Sequence, residues 1–131
     1  TYEMSRIMGM KEFIVARKSR KPYMVNPVSH HVFSVTTQKD QTLWLDGCDA
    51  DKIRGKRVAL IDDVIATGES LAAIESLAQT AGANVVARAA ILAELGAVNR
   101  KDIIYLKEHY VFRVNPDGSF TPIRSLEEAN Q

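Results

Sequence analysis

Residues 57–70 read R-V-A-L-I-D-D-V-I-A-T-G-E-S and carry the strongest structural signal in the chain. The first half of this stretch is an apolar run, which predicts a buried β-strand that leads directly into Asp62 and Asp63. Apolar side chains at helical spacing then predict a helix over residues 69–81, and a second apolar run predicts a buried strand over residues 84–92. Strand, helix and strand in succession indicate a right-handed βαβ unit with a parallel sheet.

The segments around this unit predict shorter elements. Their apolar patterns predict a weak helix ending at Gly9, a buried strand over 12–16, a hairpin of strands 32–36 and 42–45, and short strands at 103–106, 110–114 and 120–123. The polar stretch from Asp46 to Gly55 is expected to be a loop. Asn115–Gly118 contains Pro followed by Asp-Gly, which predicts a turn between the last two strands.

Composition restricts the classes of function that the chain can have. It has 131 residues, of which 46% are hydrophobic and 25% charged, as expected for one soluble globular domain. A net charge of +1 provides no global field for binding nucleic acid or membranes, so neither partner is expected. The single cysteine, Cys48, cannot form an internal disulfide. We therefore expect a cytoplasmic protein whose function depends on a local site.

The residues after the central strand suit a phosphorylated sugar. Small side chains at Ala66, Thr67, Gly68 and Ser70 allow backbone N–H groups at a helix start to converge on an anion, and two hydroxyls add donors. Two adjacent carboxylates would repel a phosphate, so they should face sugar hydroxyls or a hydrated divalent cation. The chain contains neither a P-loop motif nor a dinucleotide-binding glycine motif. The alternative is an ordinary strand-to-helix turn with a solvated acidic pair.

The stretch from Val58 to Ser70 resembles the phosphoribosyl-pyrophosphate (PRPP) motif of the type I phosphoribosyltransferases. The resemblance implies an α/β fold with an open, mainly parallel twisted sheet flanked by helices, and an antiparallel flap hairpin. Residues 34–38 and 42–45 are similar to that flap in the adenine and xanthine enzymes. The basic segment Arg17–Pro22 is similar to the R-K-x-x-K stretch that meets pyrophosphate in the family. Taken alone, this basic segment would be read as a solvated loop.

The resemblance also implies a reaction, in which 5-phosphoribose is transferred from PRPP to a purine base, with adenine favoured. The products are a nucleoside 5′-monophosphate and pyrophosphate, as in purine salvage. The implied catalytic residues are Asp62, Asp63, Lys18 and Lys21. The implied PRPP-binding residues are Arg17, Lys18, Lys21, Asp62, Asp63, Ala66, Thr67, Gly68, Glu69 and Ser70.

Magnesium is expected to arrive as magnesium-PRPP, and Asp62 and Asp63 are expected to meet it only through water or ribose hydroxyls. Phe112 either stacks on the purine or packs in the core, and the sequence leaves both open. A homodimer is implied by the family alone.

The resemblance begins in the middle of the family's pattern, since the strand and pyrophosphate loop that precede the flap in relatives have no counterpart after Thr1. Residues 1–131 are therefore expected to form one phosphoribosyltransferase domain that is truncated at its N-terminus. Two alternatives remain: a PRPP-sensing regulatory domain of the kind found in purine-operon regulators, and a domain that binds PRPP without catalysis.

Overall fold

The structure is a computed structural model that describes residues 1–34 and 39–129. The chain divides into two compact units, each of which combines two separate segments. The first unit contains Thr1–Val58 and Ala73–Val86, and the second contains Ala59–Ala72 and Ala87–Gln131. No helix in the described part of the chain combines the length and apolar character needed to cross a bilayer.

The elements follow one another in an alternating α/β order. The helices are α1 (Tyr2–Ile7), α2 (Gly47–Ile53), α3 (Glu69–Thr80) and α4 (Leu126–Ala129), and a 3-10 helix spans Leu95–Asn99. The strands are β1 (Val28–Ser34), β2 (Lys39–Leu45), β3 (Arg57–Ile65), β4 (Asn84–Ala93), β5 (Ile104–Glu108), β6 (Val111–Val114) and β7 (Phe120–Ile123).

Three sheets are present among the described residues. The main sheet has the strand order β3-β4-β5, and β4 and β5 run parallel with Ala89 opposite Ile104. Strands β1 and β2 form an antiparallel hairpin, and so do β6 and β7. The α/β class, the parallel sheet flanked by helices and the antiparallel hairpin are therefore confirmed. Within the predicted flap, Val35–Gln38 lie outside the described residues.

Helix α3 connects β3 to β4 and ends at the glycine that stands after its apolar stripe. Gly82 has a φ of +83°, a left-handed conformation that glycine adopts without a steric penalty. Its N–H donates to the carbonyl oxygen of Gln79 at 2.9 Å, and the N–H of Ala83 donates to that of Ala78 at 3.0 Å. These two bonds form a Schellman motif, which satisfies carbonyl groups in the last turn. The predicted helix and its end are confirmed.

The core of the first unit is built from one face of β2 and one stripe of α3. Leu43 and Leu45 alternate along β2 and point to the same side. Ala73 and Leu77 on α3, and Ala81 directly after it, recur every four residues and pack with these leucines. This packing attaches the root of the β1–β2 hairpin to the helix that follows the acidic pair.

The predicted strand over residues 12–16 is wrong. Residues 12–16 form no strand, and the adjacent Arg17 pairs with Trp44 through an isolated antiparallel bridge. The two hydrogen bonds of this bridge measure 2.8 and 2.7 Å. Ile14 and Ala16 still pack against the core of the first unit, which explains why the segment is apolar. A strand needs a ladder of such pairs, and a single bridge does not supply one.

The predicted loop from Asp46 to Gly55 is also wrong, because it contains helix α2. Asp46 caps this helix, since its carboxylate accepts hydrogen bonds from the N–H groups of Cys48 at 3.4 Å and Val25 at 3.3 Å. The helix is seven residues long and mostly polar, so its apolar periodicity is weak. Asp at the cap position was the sequence signal that could have revealed it.

The hairpin of β6 and β7 closes through the predicted turn. Asn115 donates its N–H to the carbonyl oxygen of Ser119 at 2.8 Å, and Gly118 adopts a φ of +81°. The Asp117 carboxylate accepts hydrogen bonds from both the hydroxyl and the N–H of Ser119, which lowers the pKa of Asp117 below its ordinary value. The turn prediction is confirmed.

Candidate functional site

Strand β3 and helix α3 are joined by a very short loop, Ala66–Gly68. Gly68 has a φ of +84°, and its carbonyl oxygen accepts the N–H of Ala72 at 2.9 Å, so it stands at the cap position of α3. The hydroxyl of Thr67 accepts a hydrogen bond from the N–H of Glu69 at 3.4 Å. The first-turn N–H groups of a helix have no partner within the helix and favour anions. The loop therefore has the backbone arrangement of an anion-binding turn.

The acidic pair lies within β3 rather than beyond it. The strand continues to Ile65, so the prediction that it gives way to the acidic pair after Ile61 is corrected. The carboxylate of Asp62 accepts the N–H of Asp63 at 2.9 Å, and the carboxylate of Asp63 accepts the N–H of Val64 at 2.8 Å. Successive strand residues point to opposite faces, so the two side chains leave the strand in different directions. Asp62 is half-buried and Asp63 is exposed.

An arginine that sequence analysis missed lies against the short loop. A Cβ added to Gly68 would stand 2.5 Å from Nη1 of Arg100, so the guanidinium covers this glycine. Asp102 holds Arg100 through two hydrogen bonds, Nε to Oδ1 at 2.9 Å and Nη2 to Oδ2 at 2.5 Å. The hydrogen bond from Arg100 lowers the pKa of Asp102 to about 2. Only the Arg-x-Asp spacing hints at this pair in the sequence, and nothing there links it to Gly68.

The basic segment belongs to the first unit. Arg17 and Lys18 are exposed and Lys21 is half-buried. The backbone of Arg17 is fixed by its bridge to Trp44, and the carbonyl oxygen of Lys21 accepts the N–H of Met24 at 3.1 Å. These bonds hold the segment as an ordered turn that presents cationic side chains. The acidic pair and the short loop belong to the second unit.

Phe112 lies on β6 opposite Pro122 and is 54% exposed. The alternative in which this ring packs in the core is therefore not what the structure contains. The contact of Phe112 with a purine base stays a prediction.

The carboxyl ends of the main-sheet strands carry a second pair that sequence analysis missed. Nδ1 of His109, which follows β5, lies 2.6 Å from Oε1 of Glu94, which follows β4. The N–H of Glu94 donates to the carbonyl oxygen of Ile65 at 2.8 Å, and the N–H of His109 donates to that of Ala93 at 2.9 Å. The pair forms only because parallel strands bring distant segments to the same edge, so no local pattern could have revealed it.

Among residues 1–34 and 39–129, no group of three or more His, Cys, Asp or Glu side chains is arranged to hold a metal ion. Asp62 and Asp63 carry carboxylate oxygens, the kind of ligand that magnesium prefers, and their indirect contact with magnesium stays a prediction.

Comparison with known proteins finds partial matches to adenine phosphoribosyltransferases. The chain is 37% identical over 83 residues to an adenine phosphoribosyltransferase of Corynebacterium jeikeium. The aligned region covers 63% of this chain and 40% of that enzyme. The chain is 51% identical over 53 residues to an adenine phosphoribosyltransferase of Mycobacterium avium. That aligned region covers 40% of this chain and 27% of that enzyme. These matches agree with the resemblance to the type I phosphoribosyltransferases, over part of the relatives' length. No protein-family model matches it.

Solved structures of adenine phosphoribosyltransferases share the fold of this chain. The adenine phosphoribosyltransferase of Thermoanaerobacter pseudethanolicus superposes with a TM-score of 0.66 at 21% identity, over 82% of this chain and 62% of that one. The enzyme of Rhodothermus marinus gives a TM-score of 0.67 at 23% identity, over 82% of this chain and 61% of that one. The chain thus spans well under two thirds of the length of the curated phosphoribosyltransferases that it matches.

Proposed function

We propose that this chain carries the PRPP-binding part of a purine phosphoribosyltransferase that acts on adenine. The observation that carries the proposal is the stretch Val58–Ser70, which places an acidic pair, a short small-residue loop and a helix start in direct succession on β3 and α3. The identity to adenine phosphoribosyltransferases supports the choice of adenine. The reaction joins a purine ring nitrogen to the anomeric carbon of PRPP and releases pyrophosphate.

The loop and the start of α3 bind the 5′-phosphate in this proposal. The N–H groups of the first helical turn and the hydroxyls of Thr67 and Ser70 supply donors, and the helix dipole adds partial positive charge. Glycine at position 68 supports this role, because its φ of +84° shapes the turn and the absence of a side chain admits the guanidinium of Arg100. The 5′-phosphate anchors the ribose above the acidic pair.

Asp62 and Asp63 act on the ribose in this proposal. The transition state of glycosyl transfer resembles an oxocarbenium ion, so a carboxylate near the ring stabilises the developing positive charge and accepts hydrogen bonds from the sugar hydroxyls. Magnesium enters with PRPP as part of the substrate and offsets charge on the pyrophosphate. Arg17, Lys18 and Lys21 supply the cations that a pyrophosphate leaving group requires.

We further propose a cytoplasmic location and a homodimeric assembly. The family supports both, and the single exposed cysteine is compatible with a reducing compartment. Sedimentation equilibrium of the purified chain tests the assembly directly, since a dimer has twice the 14.6 kDa mass of the chain.

The test of the proposed function combines binding with turnover. PRPP binding is measured by calorimetry with magnesium present, and AMP formation is measured with adenine, hypoxanthine, guanine and xanthine. Asp63→Asn should lower kcat/KM for PRPP at least about tenfold, or about 1.4 kcal/mol in transition-state stabilisation. Asp51→Asn is the matched control, because Asp51 is an exposed carboxylate on α2 paired only with Arg54 in the described contacts.

Each outcome decides between the alternatives. AMP formation that depends on Asp63 supports the enzyme, whereas tight PRPP binding without pyrophosphate release points to a sensing domain. A chain whose PRPP binding is unchanged by Asp63→Asn contradicts the site.

A further inference from the structure

The pair of Glu94 and His109 lies beside the candidate phosphate loop. Backbone hydrogen bonds connect the ends of the three main-sheet strands, from Glu94 to Ile65 and from His109 to Ala93. Ile65 is the residue immediately before the loop, so Glu94 stands next to the loop and His109 stands one strand further away. Two strand spacings separate Ile65 from His109, about 10 Å. Open α/β sheets bind their ligands along this carboxyl edge.

The hydrogen bond between the pair fixes which ring nitrogen of His109 carries a proton when Glu94 is ionised. An ionised carboxylate can only accept a hydrogen bond, so the 2.6 Å contact to Oε1 of Glu94 requires the proton on Nδ1 of His109. The second ring nitrogen, Nε2, is then an acceptor in the neutral ring. The side chain of Glu94 is 20% exposed and that of His109 is 55% exposed, so the carboxylate is sheltered while the imidazole is accessible. A carboxylate that orients a histidine in this way is the arrangement of a general base.

The backbone beside Glu94 supports a functional role. Leu95 adopts a φ of +49°, and it is one of only two non-glycine residues with positive φ in the described part of the chain. This conformation costs a residue with a Cβ roughly 1–2 kcal/mol. Such strained residues cluster at functional sites, where the surrounding structure holds them in place. Here the strain occurs at the residue that turns the chain away from the sheet directly after Glu94.

We propose that His109 accepts the proton that the purine loses during phosphoribosyl transfer, and that Glu94 is its positioning residue. The inference rests on the proposed function. As the purine N9–C1′ bond forms, the C1′–O bond breaks and its electron pair leaves with pyrophosphate, while the N9 proton moves to Nε2 of His109. Glu94 holds the tautomer before the step and stabilises the imidazolium after it. The 5′-phosphate on the loop after β3 and the base toward β5 then span the carboxyl edge of the sheet.

The first test separates the base from a merely structural link. His109→Gln keeps an N–H donor for Glu94 but has no basic nitrogen, so kcat for AMP formation should fall about 100-fold. The KM for PRPP and the free energy of unfolding should stay near their wild-type values. Glu94→Gln retains an acceptor for Nδ1 but loses the charge, and kcat should fall about tenfold. Added imidazole should restore part of the activity of His109→Ala. Lys107→Gln, an exposed change on β5, is the control and should leave kcat unchanged.

A second measurement does not depend on turnover. Proton–nitrogen NMR of the histidine rings, with His109 assigned through His109→Gln, should show a shift of the Nε2 signal when AMP is added. A wild-type chain that forms AMP while His109→Gln retains full kcat overturns the inference and leaves the proposed function standing. An unshifted His109 signal in a chain that binds AMP overturns it as well. A chain that binds neither PRPP nor AMP overturns both proposals.

Discussion

Gly47, the first residue of α2, is packed against another part of the backbone. A Cβ at this position would stand 2.6 Å from the carbonyl oxygen of Asn26 and would also overlap that of Val25. Because backbone cannot move aside cheaply, Gly47→Ala should destabilise the fold by about 1–3 kcal/mol. Gly96→Ala is the matched control, since an added Cβ there meets nothing within 4 Å. Equal urea midpoints for the two variants would contradict this packing.

Asp102 gives a residue-level prediction about acid. Its pKa is lowered from 3.8 to about 2 by Arg100, so the folded state favours the ionised carboxylate. The resulting stabilisation is fully present above about pH 4 and is lost as the pH falls toward 2, where both states become protonated. Urea unfolding between pH 2 and pH 5 should therefore show a weaker acid dependence for Asp102→Asn than for the wild type. An identical pH dependence of the two proteins would rule out this contribution.

Among the elements, α3 stabilises the first unit through one stripe of side chains. Leu77 is 1% exposed and packs between the β2 leucines and α2, so Leu77→Ala should lower the free energy of unfolding by about 2–5 kcal/mol. Leu106 on β5 is 82% exposed, and Leu106→Ala should change the free energy of unfolding by less than about 0.5 kcal/mol. Chemical denaturation of both variants checks the difference. Comparable losses would mean that the stripe does not form the core.

Elements whose signals are local could be predicted from the sequence. The apolar runs of β3 and β4, the stripe of α3 and the Asp117-Gly118 turn all depend on neighbouring residues, and the structure contains each of them. Helix α2 was missed because a short polar helix depends on its Asp46 cap rather than on periodicity. The strand expected over residues 12–16 was wrong because an apolar pattern predicts burial equally well for a segment that forms no ladder.

The residues of the candidate site also fall into two groups, those that the sequence could predict and those that it could not. The acidic pair and the loop Ala66–Gly68 are close in sequence, so their association with β3 could be predicted, although the strand continues through the pair to Ile65. Arg100 and the pair of Glu94 and His109 reach the site only through sheet pairing and loop packing. The sequence contains no local signal for contacts of that kind. The roles of Arg17, Lys18 and Lys21 stay predictions.

For the whole molecule, the charge is nearly balanced, so the affinity for a charged ligand depends on the residues at its binding site. With a net charge of +1, affinity for an anion must come from the loop and nearby cations rather than from a global field. A ligand present at about 100 times its Kd stabilises the folded state by about 2.7 kcal/mol, so AMP should raise the Tm of the chain by several degrees. Adenosine, which lacks the phosphate, should raise it much less at the same concentration. Equal shifts for the two ligands would contradict a phosphate site.

The two compact units are interleaved along the chain, and this has a consequence for biosynthesis. The leucines of β2 leave the ribosome well before Ala73, Leu77 and Ala81, which complete their core. At a synthesis rate of roughly 5–20 residues per second, Leu43 and Leu45 therefore wait on the order of seconds without their helical partners. During that interval the nascent hairpin lacks the partners that cover its apolar face, so we expect chaperones to bind it until residue 86 has emerged.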